Sequence, residues 1–235
     1  MNLFHQTKSF AIGSEKDLQA LSEKESASIL VLSDSHGSEN NAKSILDAFA
    51  SDCDLIVFCG DGTYEIASLL EQYKKSKKLS KTFPSVVAIV QGNGDDNEYA
   101  VDFNLSENKD DDENYLMQVP RELLIKVAGM NVLITHGHAY GVYYGLDDLQ
   151  KQAELEKADL VLYGHTHIAD RRDFGATAFI NPGSCTLPRR GMPPSCAVIK
   201  LPGDQEKISC TFYERKASLS EGITFIPFSP EMRKW

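Results

Sequence analysis

The chain has 235 residues, of which 42% are hydrophobic and 25% charged, and its formal net charge of −10 gives a sequence pI of about 5.1. These values are typical of a globular protein, the acidic charge disfavours binding to a long nucleic-acid duplex, and no apolar run is long enough to span a bilayer. The five cysteines are scattered and never form a C-x-x-C spacing, so we expect reduced thiols. The absence of a secretory pattern leads us to expect a cytoplasmic location. From the charge and the short apolar runs we expect neither a membrane nor extended nucleic acid as a partner.

Residues 1–28 are interpreted as an N-terminal extension, and residues 29–235 as one domain. Within the extension, Ser14 stands three positions before Asp17, a pattern that predicts a short capped helix. From there on, short apolar runs alternate with helical stretches near 39–51, 64–80 and 145–157. The predicted strands are Ile29–Leu32, Leu55–Phe58, Val86–Val90, Val132–Thr135 and Leu160–Tyr163. This alternation predicts an α/β fold.

After Asp173 the helical signals fade and strand signals take over. The predicted strands here are Ala176–Ile180, Ser195–Lys200 and Lys207–Glu214, separated by Gly and Pro turns. We expect them to form a second, mostly antiparallel sheet. The acidic residues 104–114 predict a solvated insertion without chemistry of its own.

Five of the predicted strands end in polar clusters, which contain five of the six histidines. The first cluster holds Asp34 and His36, and in extended backbone such alternate side chains point the same way and can bind one cation. Asp61 follows Gly60 at the end of the next strand, where a carboxylate is placed to bridge two metals. Asn93 offers an amide oxygen to a divalent metal, although Asn-Gly alone more often indicates a turn.

The last two clusters each contain a pair of histidines. His136 and His138 follow the fourth strand, and His165 and His167 follow the fifth. A lone histidine is more often a satisfied polar residue than a ligand, but four of them at two strand ends indicate a metal site.

In this order the motifs resemble those of the calcineurin-like metallophosphoesterases, over residues 29–200. The motifs are Asp34-x-His36, Gly60-Asp61, Gly92-Asn93, His136-Gly137-His138-x-Tyr140-Gly141, Gly164-His165-x-His167 and Asn181-Pro182-Gly183-Ser184. The motifs that begin at His136 and at Asn181 resemble in particular those of the small bacterial and archaeal phosphodiesterases of the YfcE-like branch. The resemblance implies an α/β fold with two mixed β-sheets packed as a sandwich and flanked by helices.

The resemblance also implies a metal-ligand set. One divalent ion would be held by Asp34, His36, Asp61 and His167, and the other by Asp61, Asn93, His136 and His165, with Asp61 as the bridge. The expected activity is hydrolysis of a small phosphodiester by a hydroxide that bridges the two metals. Manganese is the first expectation, while nickel, zinc or iron also suits nitrogen and oxygen ligands.

Two other functions remain open at this point. The same two-metal chemistry serves a phosphomonoesterase or a nucleotide hydrolase, and one branch of the family has lost metal-binding histidines and acts as a scaffold in protein interactions. Because every expected ligand is present, the sequence favours the hydrolase with a small phosphate ester as its partner. A homo-oligomer is compatible with the sequence.

The identity of the catalytic acid is the point at which this sequence departs from the family. Many relatives have a histidine after the metal-binding asparagine, but Gly94 stands there. His138 is our candidate catalytic residue, as proton donor or phosphate contact, with Asp95 as a second candidate that orients it. A purely structural role for His138 is the alternative. Five loop residues are not assigned to the site, because surface exposure or packing accounts for their presence as well as contact with substrate does. They are Arg189, Arg190, Tyr140, Tyr143 and Tyr144.

Overall fold

The computed structural model describes residues 6–76, 83–101, 115–202 and 207–230. The helices in chain order are α1 (Glu15–Ser22), α2 (Glu39–Phe49), α3 (Thr63–Lys75) and α4 (Asp147–Leu155). The strands are β1 (Ala27–Leu32), β2 (Leu55–Phe58), β3 (Val86–Ile89), β4 (Glu98–Val101), β5 (Tyr115–Gln118), β6 (Glu122–Val127), β7 (Met130–Thr135), β8 (Leu160–Leu162), β9 (Ala169–Phe174), β10 (Thr177–Pro182), β11 (Ser195–Leu201), β12 (Ser209–Ser218) and β13 (Gly222–Phe228).

Two mixed sheets contain most of these strands. The first has six strands in the order β13-β12-β11-β1-β2-β3, and the second has five in the order β6-β7-β8-β10-β9. In the first sheet β1, β2 and β3 run parallel, whereas β11, β12 and β13 pair antiparallel. In the second sheet β7, β8 and β10 run parallel between two antiparallel edge strands. A small two-stranded sheet, β4-β5, stands apart.

The two sheets pack face to face, with helices on their outer surfaces. Ile29 of β1 belongs to the same buried cluster as Val132 of β7, which lies between the sheets. The next residue, Leu30, points to the opposite face and packs in a cluster with Ile45 of α2. On the far side of the second sheet, the buried Leu149 of α4 packs against strand residues. Successive strand residues point to opposite faces, so strands that are apolar throughout are buried on both sides.

The C-terminal strands correct one expectation. They form no separate antiparallel sheet: β10 joins the second sheet beside β8, whereas β11 and β12 extend the first sheet beside β1. The cause is long-range pairing, since β11 aligns antiparallel with β1 over five residue pairs. The local strand pattern does not encode such a choice of neighbour.

The segment before β1 is attached to both sheets. Backbone hydrogen bonds of 2.8 and 2.9 Å link Ile12 with Val87 of β3, and the N–H of Ala128, after β6, donates to the carbonyl of Leu21. The predicted capped helix is confirmed as α1, because the side chain of Ser14 accepts a hydrogen bond from the Asp17 N–H. The division of the chain at residue 28 stays a prediction.

Two further expectations concern the cysteines and the insertion. All five cysteines are free. Burial raises the pKa of each thiol, and it raises the pKa of Cys59 and Cys196 the most. The acidic insertion predicted at 104–114 lies outside the described residues. Of the helices in the described parts of the chain, none is both long and apolar enough to cross a membrane.

Candidate metal centre

The candidate site lies where parallel strands of the two sheets end. In the first sheet, the loops that follow β1, β2 and β3 carry Asp34, His36, Asp61 and Asn93. In the second sheet, the loops that follow β7 and β8 carry His136, His138, His165 and His167. The carboxyl ends of parallel strands form one edge of a sheet, and side chains from the two sheets meet across these edges.

The first cluster contains Asp34, His36 and His167, whose potential ligand atoms all lie within 4.8 Å of one another. Asp34 Oδ1 lies 3.2 Å from Nε2 of His167 and 3.7 Å from Nε2 of His36. One carboxylate oxygen and two imidazole nitrogens therefore converge on a common point. This is a donor set suited to a divalent transition metal.

The second cluster contains Asp61, His136 and His165, again within 4.8 Å of one another. Oδ2 of Asp61 lies 3.5 Å from Nε2 of His136, and the same nitrogen lies 3.2 Å from Nδ1 of His165. Burial and the neighbouring charge of His136 lower the pKa of His165, which favours the neutral imidazole that a metal needs.

Asp61 joins the two clusters. The same Oδ2 that faces His136 lies 3.8 Å from Nε2 of His36, and its other oxygen accepts the N–H of Gly94 at 2.8 Å. Burial alone would raise the pKa of Asp61, but the hydrogen bond and charge of His136, the Gly94 N–H and the charge of His36 together hold it well below its usual range. The structure thus places an anionic carboxylate between the two groups of histidines.

Two histidines are fixed by their outer ring nitrogens. Nδ1 of His136 lies 2.6 Å from the carbonyl oxygen of Cys59, and Nδ1 of His167 lies 2.6 Å from that of Leu187. Because a carbonyl oxygen only accepts, each Nδ1 must donate, so each neutral ring keeps its lone pair on Nε2 inside the site. This outer contact to a carbonyl is the usual one for a metal-binding histidine.

The backbone that presents these ligands is left-handed, which corrects the extended geometry expected from the sequence. The φ angles are +57° at Asp34, +42° at His36, +58° at Asp61, +66° at His165 and +60° at His167. The reason is bonding between loops rather than along strands, since the N–H of Asp34 donates to the carbonyl of Gly60 and that of His36 to the carbonyl of Asp61. Several non-glycine residues in this region indicate strain of the kind found at functional sites.

Glycine at two positions lets the loops approach each other closely. A Cβ added to Gly92 would lie 2.1 Å from Oδ1 of Asp61, and one added to Gly164 would lie 2.0 Å from the Ser33 hydroxyl and 3.0 Å from Oδ2 of Asp34. The distances of 2.1 and 2.0 Å are far shorter than van der Waals contact. The Gly92-Asn93 and Gly164-His165 motifs therefore need glycine for steric reasons.

Asp95 organises the loop after β2. Its Oδ2 accepts the backbone N–H groups of Asp61 and Gly92 and the hydroxyl of Thr63, and its Oδ1 accepts those of Gly62 and Thr63. Both oxygens of this carboxylate are therefore occupied as acceptors of hydrogen bonds from its own loops. Asp95 therefore positions Asp61, and its expected part in catalysis is limited to this orientation.

His138 lies beside the second cluster, in a turn of 3₁₀ helix over His138–Tyr140. Its ring centroid is 5.4 Å from that of His136 and 6.1 Å from that of His165. Nδ1 of His138 is buried and has no hydrogen-bond partner among the described residues. An unpartnered polar atom beside the cluster is available to a ligand or water.

The structure gives Asn93 a less direct position. It is exposed in the turn that follows β3, one residue before the Gly94 N–H that binds Asp61. Its ligand role stays a prediction. A Cβ at position 94 would lie 3.3 Å from Oδ1 of Asp61. A side chain at this position would therefore start next to the site, but Gly94 supplies none.

Residues 28–204 match the family described as calcineurin-like phosphoesterase superfamily domain. The chain belongs to this superfamily. The matched range agrees with the span of motifs in the sequence, and the phosphoesterase has its clustered histidines and carboxylates inside it.

Sequence relatives show which branch of the superfamily the chain resembles. The phosphoesterase is 31% identical over 196 residues to the probable metallophosphoesterase YsnB of Bacillus subtilis (strain 168), which covers 83% of this chain and 95% of the relative. It is 27% identical over 177 residues to the phosphodiesterase YfcE of Escherichia coli (strain K12), covering 73% and 86%. The resemblance to the YfcE-like branch is confirmed, and family and relatives indicate a metallophosphoesterase hydrolase.

A solved structure supports the fold. Vacuolar Protein Sorting 29 from Cryptosporidium parvum aligns with a TM-score of 0.58 at 18% identity, over 87% of this chain and 98% of the other. At this identity the likeness concerns the fold alone. The predicted sandwich of two mixed sheets is confirmed.

Sequence reasoning missed residues that support the ligands of the phosphoesterase. The hydroxyl of Ser184 donates to the carbonyl of Asp34 at 2.7 Å and accepts the N–H of Leu187, whose own carbonyl holds His167. Asn181 Nδ2 donates to the carbonyl of Gly164 at 2.7 Å. The Asn181–Ser184 motif pointed to these residues, but only the structure shows that they fix the backbone on both sides of the first cluster.

Proposed function

We propose that this phosphoesterase is a phosphodiesterase that binds two divalent metal ions and hydrolyses a small phosphodiester. The observation that carries the proposal is the position of Asp61, whose Oδ2 faces His36 of the first cluster at 3.8 Å and His136 of the second at 3.5 Å. A single carboxylate oxygen between two groups of histidines is the arrangement that a pair of neighbouring ions needs.

The donor groups fit such ions. Asp34 Oδ1 is buried without a hydrogen-bond partner among the described residues, and it faces Nε2 of His167 at 3.2 Å and of His36 at 3.7 Å, as a shared cation would require. The His167 and His136 lone pairs point into the same space. The proposed ligands are those predicted from the sequence: Asp34, His36, Asp61 and His167 for one ion, and Asp61, Asn93, His136 and His165 for the other.

Bound divalent ions would lower the pKa of a water molecule and neutralise charge on the phosphate during hydrolysis. The chain's own residues do the positioning. Asp34 and Asp61 offset part of the cationic charge, and neutral imidazoles leave the loaded site positive, which favours an anionic ester despite the acidic chain. The nitrogen and oxygen donors suit manganese, nickel, zinc and iron. Manganese is our first candidate among them.

Preference for a diester rests on two supports. The relative YfcE is named a phosphodiesterase. In addition, one cleft is lined by His36 and Asp61, and a second is lined by Tyr143, whose ring contacts His165, which gives the two organic groups of a diester separate spaces. A monoester or nucleotide hydrolase uses one such space, and a scaffold would need neither metal nor cleft.

The test compares two substrates on one preparation. Metal-stripped protein, and the same protein reloaded with manganese, are assayed with bis(4-nitrophenyl) phosphate and with 4-nitrophenyl phosphate. We expect hydrolysis only after reloading, with a higher kcat/KM for the diester. A higher value for the monoester would reassign the enzyme as a phosphomonoesterase, and no hydrolysis of either by metal-loaded protein would favour the scaffold.

A further inference from the structure

A cleft of about 670 Å³ is lined by Tyr143, whose ring contacts that of His165, and by Thr166, which follows His165 in the chain. This volume lies within the range of about 300–1,000 Å³ that small-molecule sites occupy. Its walls come from the loop before α4, with Tyr143 and Tyr144, and from the start of β9 and the loop before β11, with Ile168, Arg190 and Met192. The sequence alone had left these tyrosines and arginines without a role.

Tyr143 connects the cleft to the candidate centre. Its ring stands perpendicular to that of His165, with the centroids 5.3 Å apart, and the guanidinium of Arg189 lies over the tyrosine ring, 5.3 Å from its centroid. Arg189 is itself tied to the centre, because its N–H donates to the carbonyl of His167. Tyr143 therefore belongs both to the wall of the cleft and to the surroundings of His165.

The walls of the cleft are apolar and aromatic, and their charge is positive. Asp170 and Arg172 neutralise each other through a 2.7 Å ion pair. Arg190 has no hydrogen bond or ion pair within the described residues, so one cation remains uncompensated. At the mouth, the Tyr144 ring is 99% exposed and offers a large aromatic surface to a ligand.

The cleft on the other side of the candidate centre has the opposite charge. It measures about 350 Å³, begins at His36, and is lined by the carboxylates of Glu65, Asp95 and Asp96. These carboxylates disfavour a negatively charged substituent on this side, and a large organic group gains more contact on the tyrosine side.

We infer that the cleft lined by Tyr143 and Tyr144 binds the organic group of the substrate and selects a planar aromatic group. Stacking on tyrosine rings suits any flat ring, so an aryl group and a nucleobase share the required chemistry. The inference rests on the proposed function, because it names the class of phosphate ester that this site takes. Tyr143 and Tyr144 would be specificity-determining residues of the reaction.

Direct binding tests this subsite without depending on turnover. Dissociation constants of methyl, cyclohexyl and phenyl phosphate and of thymidine 5′-monophosphate are measured by calorimetry on manganese-loaded protein. We expect phenyl phosphate to bind about tenfold more tightly than methyl phosphate, with cyclohexyl phosphate between them, since aromatic stacking has that order of magnitude. Thymidine 5′-monophosphate binding more tightly than phenyl phosphate would identify a nucleoside, and the reverse order a simple aryl group.

Variants localise the preference. Y143A and Y144A should each remove most of the difference between phenyl and methyl phosphate, and Y143F should retain it because the ring remains. Tyr64, an exposed tyrosine on the acidic cleft, gives the matched control Y64A. Equal binding of methyl and phenyl phosphate by the unaltered protein, or loss of the preference in Y64A with retention in Y143A and Y144A, would overturn the inference.

Hydrolysis measured on the same samples keeps the two proposals apart. A protein that prefers aromatic phosphates but hydrolyses no ester would overturn the phosphodiesterase function and leave the subsite standing. A protein that hydrolyses diesters without any aromatic preference would do the reverse.

Discussion

The Nε2 atoms of His36 and His167 lie 3.0 Å apart, although 131 residues separate the two histidines in the chain. The Nδ1 of His167 donates to a carbonyl, so in the neutral ring the lone pair on Nε2 faces the other histidine. Asp34 Oδ1 lies within 3.7 Å of both nitrogens. Two imidazole nitrogens and a buried carboxylate oxygen thus converge, and the first cluster has the form of a cation site.

Replacing Asp61 with Asn should abolish nearly all hydrolysis and weaken the retention of both ions. The reason is that Asp61 is the anionic group between the two clusters, and an amide supplies neither its charge nor two oxygens. Metal content by mass spectrometry and diester hydrolysis give the two readouts. The matched control is the exposed neighbour Asp96, whose Asn variant should keep both. Full metal occupancy with unchanged activity in D61N would refute the bridging role.

His36 and His165 belong to different clusters, so each alanine variant should lose one ion rather than two. Removal of a single ligand leaves a weakened site, so excess manganese should restore part of the activity of H36A and of H165A, and none of that of D61N. Activity is followed during manganese titration of all three. Equal rescue of the three variants would show that Asp61 acts at one metal only.

Gly92 and Gly94 form a matched pair around Asn93. An added Cβ would meet Oδ1 of Asp61 at 2.1 Å from position 92 and at 3.3 Å from position 94. We expect G92A to lose about 10–100-fold in activity or manganese affinity, because Asp61 must move, and G94A to stay within about threefold. Kinetics on the diester check this. Similar losses in both variants would mean that loop flexibility, rather than the position of Asp61, controls the site.

Strand positions and site residues were largely predictable from the sequence. Ile29–Leu32 was predicted as a strand and forms most of β1, because an apolar run buried on both faces has little choice of local structure. The polar residues after such runs, Asp34 and His36 among them, fell at strand ends for the same reason. A residue pattern in chain order thus predicted the residues of both clusters of candidate metal ligands.

Edge strands and loop conformation were not predictable in this way. Strand β9 reads Ala-Asp-Arg-Arg-Asp-Phe, and its charged side chains suit the exposed edge of a sheet rather than an apolar strand pattern. The left-handed backbone at Asp34 and His36 depends on hydrogen bonds to the Gly60–Asp61 loop, some 25 residues further on. Hydrogen bonds between residues so far apart in the chain cannot be predicted from the residue types near Asp34 and His36.

Asp95→Ala should lower the free energy of unfolding by about 2–3 kcal/mol, because several backbone N–H groups and the Thr63 hydroxyl lose their charged acceptor. Urea unfolding of D95A and of D96A, whose side chain is exposed, measures the difference. Activity of D95A should fall as well, since Asp61 loses its support. Unchanged stability would contradict the positioning role of Asp95.

His138→Ala tests the proposed contact with the leaving group. The ring lies beside His136 and His165, and an N–H donated to the departing oxygen matters most when the leaving group is poor. We expect a loss of about 10²-fold or more on an alkyl diester, and a much smaller loss on a nitrophenyl diester, with metal content unchanged. Equal losses on both would reassign His138 to phosphate binding or metal positioning.

Titration of metal-free protein with manganese, followed by binding stoichiometry and by hydrolysis of bis(4-nitrophenyl) phosphate on the same samples, tests the central claim most directly. The paired clusters around Asp61 predict two ions per chain, hydrolysis that requires both, and neither property in D61N. Full hydrolysis without metal, or two bound ions without hydrolysis of a phosphate ester, would contradict a two-metal phosphoesterase.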